Sequence, residues 1–488
     1  MTLQDVMELA NSNYSDLPPG WRLVAIDDTG DYINGYAFKP SDWEEKGKPI
    51  IRIQNLTSDK PFNRTTKFIE SKYHIVNGDI LVSWSATLDA FIWKGEDAWL
   101  NQHIFKVVPN PKIVVKNFLF YLLKYEIHNL TNSDRLHGST MKHINRKPFL
   151  SYQILLPPLP EQHRIVEKIE ELFSELDNGV ASLKKALEQL KTYRQAVLKW
   201  AFEGKLTEKW RNTHQDSLED ADTLLEQIKA ERKRHYQQQL EDWKQALKEW
   251  ENNGKETKKP TKPQQPKDLP PLTKEELSNL PSLPNGWMWV KLEDITDITG
   301  GIAKNSKRNA LSIKLPYLRV ANVYANFLDL NEVYEIGLRQ EEVEKFLLVK
   351  NDLLIIEGNG SIDQIGRVAI WNDKINPCVH QNHVIKARPH TNTNPLFSLY
   401  FLLSHQGRKF IKKQAGSTSG LYTLSLSKVR NLNIPFCSLQ EQTKIVQEIE
   451  SRLSVCDQLE ATLTENLNKA EALRQSILKR AFEGKLVL

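Results

Sequence analysis

The segment Ala201-Phe202-Glu203-Gly204-Lys205-Leu206 returns 280 residues later as Ala481-Phe482-Glu483-Gly484-Lys485-Leu486. The match runs backwards without a gap to Leu159 and Leu439, and about 22 of 48 aligned positions are identical. Shared helical composition alone does not give that degree of identity, so the chain reads as a doubled unit rather than one long fold. Smaller anchors extend the doubling. Leu17-Pro18-Pro19-Gly20-Trp21 pairs with Leu283-Pro284-Asn285-Gly286-Trp287, and Pro49 to Asn55 with Pro316 to Asn322. Gly78 to Val82 pairs with Asn351 to Ile355, Asn101 to Lys106 with Gln381 to Lys386, and Gly138-Ser139-Thr140 with Gly416-Ser417-Thr418. Order and spacing persist while the residues between the anchors diverge. Each copy is therefore a globular part followed by a helical part.

Short apolar runs bounded by Gly, Asn and Asp mark strands in the globular parts, at Ile80–Trp84, Ile104–Val108, Leu353–Ile356 and Val368–Trp371. The apolar stretches Phe118–Leu123 and Leu396–Leu403 are too short to span a bilayer and read as buried helices. The fold class expected is α+β, with two α/β domains in tandem and two long helices. On the first helix a heptad seam steps through Ile165, Ile169, Leu172, Leu176, Gly179, Leu183, Ala186, Leu190, Tyr193, Val197 and Trp200. The second runs Ile445, Ile449, Arg452, Cys456, Leu459, Leu463, Asn466, Ala470, Leu473, Ile477 and Arg480. Equal length and phase favour pairing as an antiparallel coiled coil; the alternative is that each seam packs on its own globular part. The expected organisation is an N-terminal helical segment over 1–16, a first domain over 17–157, a helix over 158–206, a helical then Lys/Pro-rich linker over 207–282, a second domain over 283–436 and a helix over 437–488. Within the linker, Ala221 to Trp250 is a further helical pattern, and Asn252 to Pro271 reads as an extended spacer.

Hydrophobic content of 40%, charged content of 26% and a net charge of +5 describe an ordinary soluble protein that permits a nucleic-acid partner without demanding one. The three cysteines form no CxxC pair, which argues against a disulfide framework or structural zinc and fits a reducing cytoplasm. The N-terminus lacks the pattern of a signal peptide. Catalytic motifs are missing. Gly204-Lys205-Leu206 lacks the rest of a phosphate-binding loop, Gly358-Asn359-Gly360 lacks the third glycine of a dinucleotide fingerprint, and Asn394-Pro395-Leu396-Phe397 only resembles a base-methylation motif. Ser139–Lys142 and Ser425–Lys428 match the spacing of a serine-lysine acylase without its other elements. His103 and His383, each placed within an expected strand, have no second ligand at metal spacing and read as satisfied histidines rather than metal ligands.

The layout resembles the specificity subunit of Type I restriction–modification systems over essentially the whole chain. The residues that carry the resemblance are the Leu-Pro-x-Gly-Trp openings, the helix starts Pro158-Leu159-Pro160-Glu161-Gln162 and Ser438-Leu439-Gln440-Glu441-Gln442, the helix ends from Arg194 and Arg474, and the run Leu224 to Arg232. The long Lys/Pro spacer departs from it. The resemblance implies that each globular part is a target-recognition domain for one half of a split double-stranded DNA sequence. It implies that the paired helices fix the gap and dock two methyltransferase subunits, with two restriction subunits in a full complex. It also implies no membrane, no catalytic residue and no cofactor in this chain; S-adenosylmethionine, Mg and ATP belong to the partners. The competing reading is a non-catalytic coiled-coil adaptor with two protein-binding domains.

A DNA reader needs cations for phosphates and amide or guanidinium groups for base edges. Arg52 and Asn55, with Arg319 and Asn322, hold matching places after a strand; as repeated residues they also read as keepers of the domain fold. Residues that differ between the copies are the better specificity candidates: Lys60, Asn63, Arg64 and Lys67 in the first, Lys304, Asn305, Lys307 and Arg308 in the second. The loops after matching strands add Ser83 and Ser85, and Asn359, Ser361 and Gln364. The Gly-Ser-Thr segments add Lys142, Ser417 and Thr418, as phosphate contacts or as helix caps.

Overall fold

The computed structural model describes residues 19–85, 87–132, 146–254, 259–263, 265, 270–418 and 420–487. The expected helical segment over 1–16, Gly138-Ser139-Thr140 and Lys142 lie outside the described residues, as does the side chain of Thr418. By internal packing the chain divides into two units, Met1–Ala186 with Thr462–Leu488, and Leu187–Ala461. This division departs from the sequence expectation, because the long helices are not domains of their own. Leu159–Phe202 and Leu439–Phe482, each of 44 residues, are shared, and each unit takes the beginning of one helix and the end of the other.

In the first unit an antiparallel sheet is ordered Gly30–Asn34, Ile104–Pro109, Ile80–Ser83, Asp89–Ile92. A second is ordered Asn63–Thr65, Lys48–Ile51, Ala98–Leu100, His74–Ile75, with Lys48–Ile51 and Ala98–Leu100 parallel. The second unit repeats this plan. Its main sheet is Thr296–Thr299, Val384–Pro389, Leu353–Ile356, Val368–Ile370, and its second is Tyr334–Leu338, Ile313–Leu318, Val379–His380, again with one parallel pair. A closing ribbon recurs as well, Arg22–Ala25 with Gln153–Leu156 and Met288–Lys291 with Asn433–Phe436. Leu353–Ile356 and Ile80–Ser83 are buried along their whole length, which is why they read as unbroken apolar runs.

The expected buried helices are present as Lys116–Asn132 and Pro395–Leu403. In the first unit, Phe118, Leu119, Leu122 and Leu123 pack with Ile165, Ile169 and Phe173 and with Ile477, Leu478, Ala481 and Phe482, Phe118 meeting Phe482 edge-on at 5.4 Å. In the second, Phe397 and Phe401 lie 5.2 and 5.1 Å from Phe202, beside Val197, Ile445 and Ile449. Each unit thus sets the start of one long helix against the end of the other, which is antiparallel packing.

The seam itself is shifted from the sequence expectation at alternate positions. On the first helix Ile165, Leu172 and Ala186 of the expected seam are buried or half-buried with Ile169, Leu176, Leu183, Leu190 and Val197, but Gly179, Tyr193 and Trp200 are exposed, and Phe173, Val180, Leu187, Arg194 and Ala201 join the stripe instead. On the second it is Ile449, Leu453, Cys456, Leu463, Leu467, Ala470, Arg474, Ile477 and Ala481, with Leu459, Asn466, Leu473 and Arg480 outside. Each shifted stripe carries one arginine. Arg194 lays its stem in the stripe and pairs with Asp457 at 2.6 Å and Glu460 at 2.8 Å; Arg474, 280 residues on, sits 4.4 Å from the Phe173 ring and pairs with Asp177. Both helices end alike. Gly204 (φ 70°) and Gly484 (φ 71°) take the left-handed turn, and the next amide bonds back five residues, Lys205 to Trp200 and Lys485 to Arg480.

The repeated helix starts are brackets. Gln162, fully buried, accepts from the Val115 amide at 2.8 Å and donates to the carbonyls of Ile113 (3.1 Å) and Pro157 (2.8 Å). Gln442 does the same with Asn394, Asn392 and Cys437, at 2.8, 3.3 and 2.8 Å. The neighbouring glutamates hold the tryptophans of the domain openings, Glu161 from Trp21 at 3.1 Å and Glu441 from Trp287 at 2.8 Å. Glu441, almost fully buried, is further bonded by Thr207 at 2.7 Å and faces Arg211 at 3.6 Å, the charge pairing that burial requires. The linker helix is Ala221–Asn252, capped by Asp220, and of the Lys/Pro stretch, Pro260 accepts from the Trp243 indole at 3.0 Å. No helix among the described residues is long and apolar enough to cross a membrane.

Candidate nucleic-acid interface

The repeated Arg-x-x-Asn turns form the feet of two connections of different content. In the first unit the Asn55 side chain accepts from the Arg52 amide at 3.1 Å and donates to the carbonyls of Lys60 (2.9 Å) and Pro61 (3.3 Å). In the second, Asn322 accepts from the Arg319 amide at 2.8 Å and donates to Asp329 (2.9 Å) and Glu332 (3.0 Å). Both asparagines staple the loop that returns to the sheet, so the fold-keeping reading holds for them. The arginines beside them lie against aromatic rings, Arg52 5.2 Å from Trp43 and Arg319 4.0 Å from Tyr334.

What the staples hold differs. From Asn55 the chain returns through Lys60, which is exposed, to the edge strand Asn63–Thr65. From Asn322 it forms a hairpin, Val323–Tyr324 with Phe327–Leu328, that carries exposed Tyr324 and Phe327 and turns at Asn326 (φ 57°). Arg367 lies 4.9 Å from the Tyr324 ring.

The unit-specific candidates separate into bound and free groups. Asn63 accepts from Arg52 at 3.3 Å, Arg64 pairs with Glu96 at 2.6 Å and bonds the Gly47 carbonyl at 2.9 Å, and Lys67 bridges Asp42 (3.0 Å) and the Tyr36 hydroxyl (3.2 Å). Arg308 uses its whole fork: Ala303 and Gly337 carbonyls at 2.8 and 3.1 Å, and both Glu342 oxygens at 2.9 and 3.0 Å. That guanidinium holds the Glu342 carboxyl down at about 2. A fork so occupied braces its loop, leaving exposed Lys304, Asn305 and Lys307 around it.

Ser83 and Ser85 are buried rather than at a loop tip. Ser83 bonds the Thr87 carbonyl and accepts from the Asp89 amide at 3.2 Å, closing the turn from inside. In the second unit the structure gathers four candidates, Asn359, Ser361, Gln364 and Ser417. Gly416–Thr418 is a strand, not a helix cap, in a three-stranded sheet with Leu421–Thr423 and Gly358–Asn359. Asn359 and Ser417 flank Tyr422 from either side in register. Asn359 accepts from the Ser361 amide at 2.9 Å, and exposed Ser361 and Gln364 follow in the same turn. His103 and His383 precede their strands instead of lying within them; His103 has φ 73° and meets the Trp84 ring edge-on at 4.8 Å, and His383 bonds Glu357 at 3.1 Å.

Sequence reasoning passed over exposed aromatics, Phe68 (93% exposed) above all, with Trp43, Tyr324 and Phe327. Their placement inside the segments that the repeat fails to match was the available signal.

A family model described as the Type I restriction modification DNA specificity domain matches residues 18–190 and again 284–469. The chain is 25% identical over 489 residues to the specificity subunit of the Type I restriction enzyme EcoBI of Escherichia coli, covering 99% of this chain and 90% of that one. It is 24% identical to the StySPI specificity subunit of Salmonella potsdam, covering 97% and 91%. Among solved structures, a chain from a study of complex assembly and conformational transition of the type I R-M system aligns at TM-score 0.63 and 17% identity, over 96% of this chain and 99% of that one. The HsdS subunit from Thermoanaerobacter tengcongensis aligns at 0.50 and 18%, over 97% and 99%. At such identities the structural likeness speaks to fold alone.

Proposed function

Because the chain belongs to the family of Type I restriction–modification DNA specificity domains, we propose that its two domains each read one half of a split DNA target while its long helices carry the methyltransferase and restriction subunits. The chain is a DNA-binding specificity subunit and not itself the enzyme. The observation that carries the bipartite reading is the contrast at the stapled connections: one frame, built twice from the same residues, presents Lys60 and its neighbours in one copy and an aromatic hairpin in the other. A single recognition surface has no use for two frames with unlike tips; two half-sites of unlike sequence do.

The exposed Tyr193, Trp200, Val455 and Leu459 on the long helices support a docking role, since aromatic and aliphatic side chains outside the seam serve as interface anchors. Two methyltransferase subunits supply S-adenosylmethionine, and two restriction subunits supply the Mg- and ATP-dependent steps. The three cysteines, all free and buried, fit a cytoplasmic setting. Methylome sequencing of cells expressing the methyltransferase subunit with and without this chain tests the reading. Adenine methylation at one split motif only when both are present is the expected result, and no new split motif would refute it.

A further inference from the structure

The 67 residues from Lys374 to Gln440 contain no Asp or Glu, where the chain's overall content of 61 acids in 488 residues gives about eight. Burial explains the gap along Val384–Pro389 and Pro395–Leu403. It does not explain the surface stretch from His405 to Arg430, which carries six lysines and arginines. The first unit repeats the pattern. Between Asp97 and Glu161 its acids are Glu126 and Asp134, the latter outside the described residues. Glu126 is half-buried against the Tyr152 hydroxyl, and burial pushes its carboxyl up to about 7.

The six cations of the second unit divide by what they hold. Arg408 bonds the carbonyls of Asp363, Ile365 and Gly366, Lys412 pairs with Asp363, and Arg430 bonds the Ile298 carbonyl and pairs with Glu293. These contacts fasten the helices His405–Gln414 and Leu426–Arg430 to the body, with Ile411 and Val429 in its core. Lys409, Lys413 and Lys428 have no partner among the described residues. Lys409 and Lys413 lie one turn apart on the exposed side of their helix. The Lys428 Nζ stands 3.0 Å from where a Cβ would be on Gly416, the first residue of the strand whose Ser417 faces Tyr422 opposite Asn359. The carboxylates that other elements bring near, Asp363, Glu357 and Glu293, are engaged by Lys412, His383 and Arg430. Free lysines on a braced frame, beside amide and hydroxyl groups and away from free carboxylates, suit a duplex: phosphates for the lysines, base edges for Asn359 and Ser417.

Resting on the DNA-recognition reading, we propose that Lys409, Lys413 and Lys428 grip the phosphates of the half-site read by the second unit and so seat Asn359 and Ser417 against its bases. The test uses the chain assembled with its methyltransferase subunits and a duplex carrying the methylome-defined site, titrated from about 50 to about 200 mM salt. Each phosphate contact adds about 0.9 to the slope of log affinity against log salt. Lys409→Gln, Lys413→Gln and Lys428→Gln together should lower that slope by about 2.7 and shrink the fall in affinity across the range about fortyfold. Thermal stability should be unaltered, because the three lysines bond nothing in the chain. The methylated motif should also be unchanged, because phosphates carry no sequence information. The same three lysines changed to arginine should keep the wild-type slope. So should Lys274→Gln, which removes an exposed lysine beside Glu275 and Glu276 in the same unit. A wild-type slope in the triple glutamine variant would overturn the proposal. A changed motif, the mark of base contacts, or lost DNA-free assembly, the mark of an acidic protein surface, would do the same. A wild-type complex that methylates no split site defeats the functional reading itself and is seen before any variant is made.

Discussion

Replacing Gln442 by Met keeps the side chain's length and removes its amide. Three backbone groups lose a partner inside the second unit: the Asn394 N–H, the Cys437 carbonyl and, more weakly at 3.3 Å, the Asn392 carbonyl. Taken at about 1–2 kcal/mol each, the lower part of the cost of an unpaired buried group, the three sum to roughly 3–6 kcal/mol, with little cavity contribution. A single unfolding free energy is ill-defined for a chain of two units, so the readout should be local. Hydrogen exchange followed by mass spectrometry reads the opening of Pro395–Leu403 and of the first turns from Leu439. At about 1.4 kcal/mol per decade, amides there should exchange about a hundred- to ten-thousandfold faster. Peptides from Lys116–Asn132 should be unchanged, and Gln162→Met should mirror the result in the first unit. Protection within about threefold of wild type at Pro395–Leu403, or equal loss in both units from one substitution, would refute the bracket.

Three further expectations concern the scaffold. Inserting one heptad after Lys185 keeps both half-sites but alters their spacing or abolishes assembly; unchanged spacing with full activity, read by methylome sequencing, counts against the ruler role of that helix. Glu342, held at about 2 against an ordinary 4.5, stabilises the fold fully above 4.5, and that stabilisation is lost as pH falls towards 2. The melting-temperature gap between wild type and Glu342→Gln should therefore be constant above about pH 5 and close towards pH 2; a gap independent of pH would contradict the assignment. Tyr193→Ala with Trp200→Ala should weaken methyltransferase-subunit binding about tenfold or more, as truncated interface aromatics do, while the chain stays folded; calorimetric titration measures it.

The fold was legible in the sequence because it is written twice. The strands at Ile80, Ile104, Leu353 and Val368, the buried helices and the two long helices all lie where apolar runs and anchors recur. Seam phase was not. Two heptad phases share Leu176, Leu183, Leu190 and Val197, and the choice between them turns on whether Arg194 or Tyr193 faces inward. Arginine reads as polar until its stem and its carboxylate partners are seen together. Of the candidate interface, the paired Arg-x-x-Asn frames were legible in the repeat, and the state of each candidate side chain was not. Ser83 and Arg308 have the polarity of surface readers, but one closes a turn from inside and the other braces a loop. Phe68 has the hydrophobicity of a core residue, and only the burial of its neighbours turns it outward.

The interleaved ownership of the long helices bears on how the protein is made. The unit spanning Leu187–Ala461 is one continuous stretch and is complete once that stretch has left the ribosome. The unit begun by the first residues lacks Ile477, Leu478, Ala481 and Phe482 of its core until the last segment emerges. At about 5–20 residues per second, the roughly 275 residues between Ala186 and Thr462 impose a wait of about 15–55 seconds. The domain synthesised first is thus the domain finished last, and through that interval it shows Phe118 and its neighbours to whatever else the nascent chain meets.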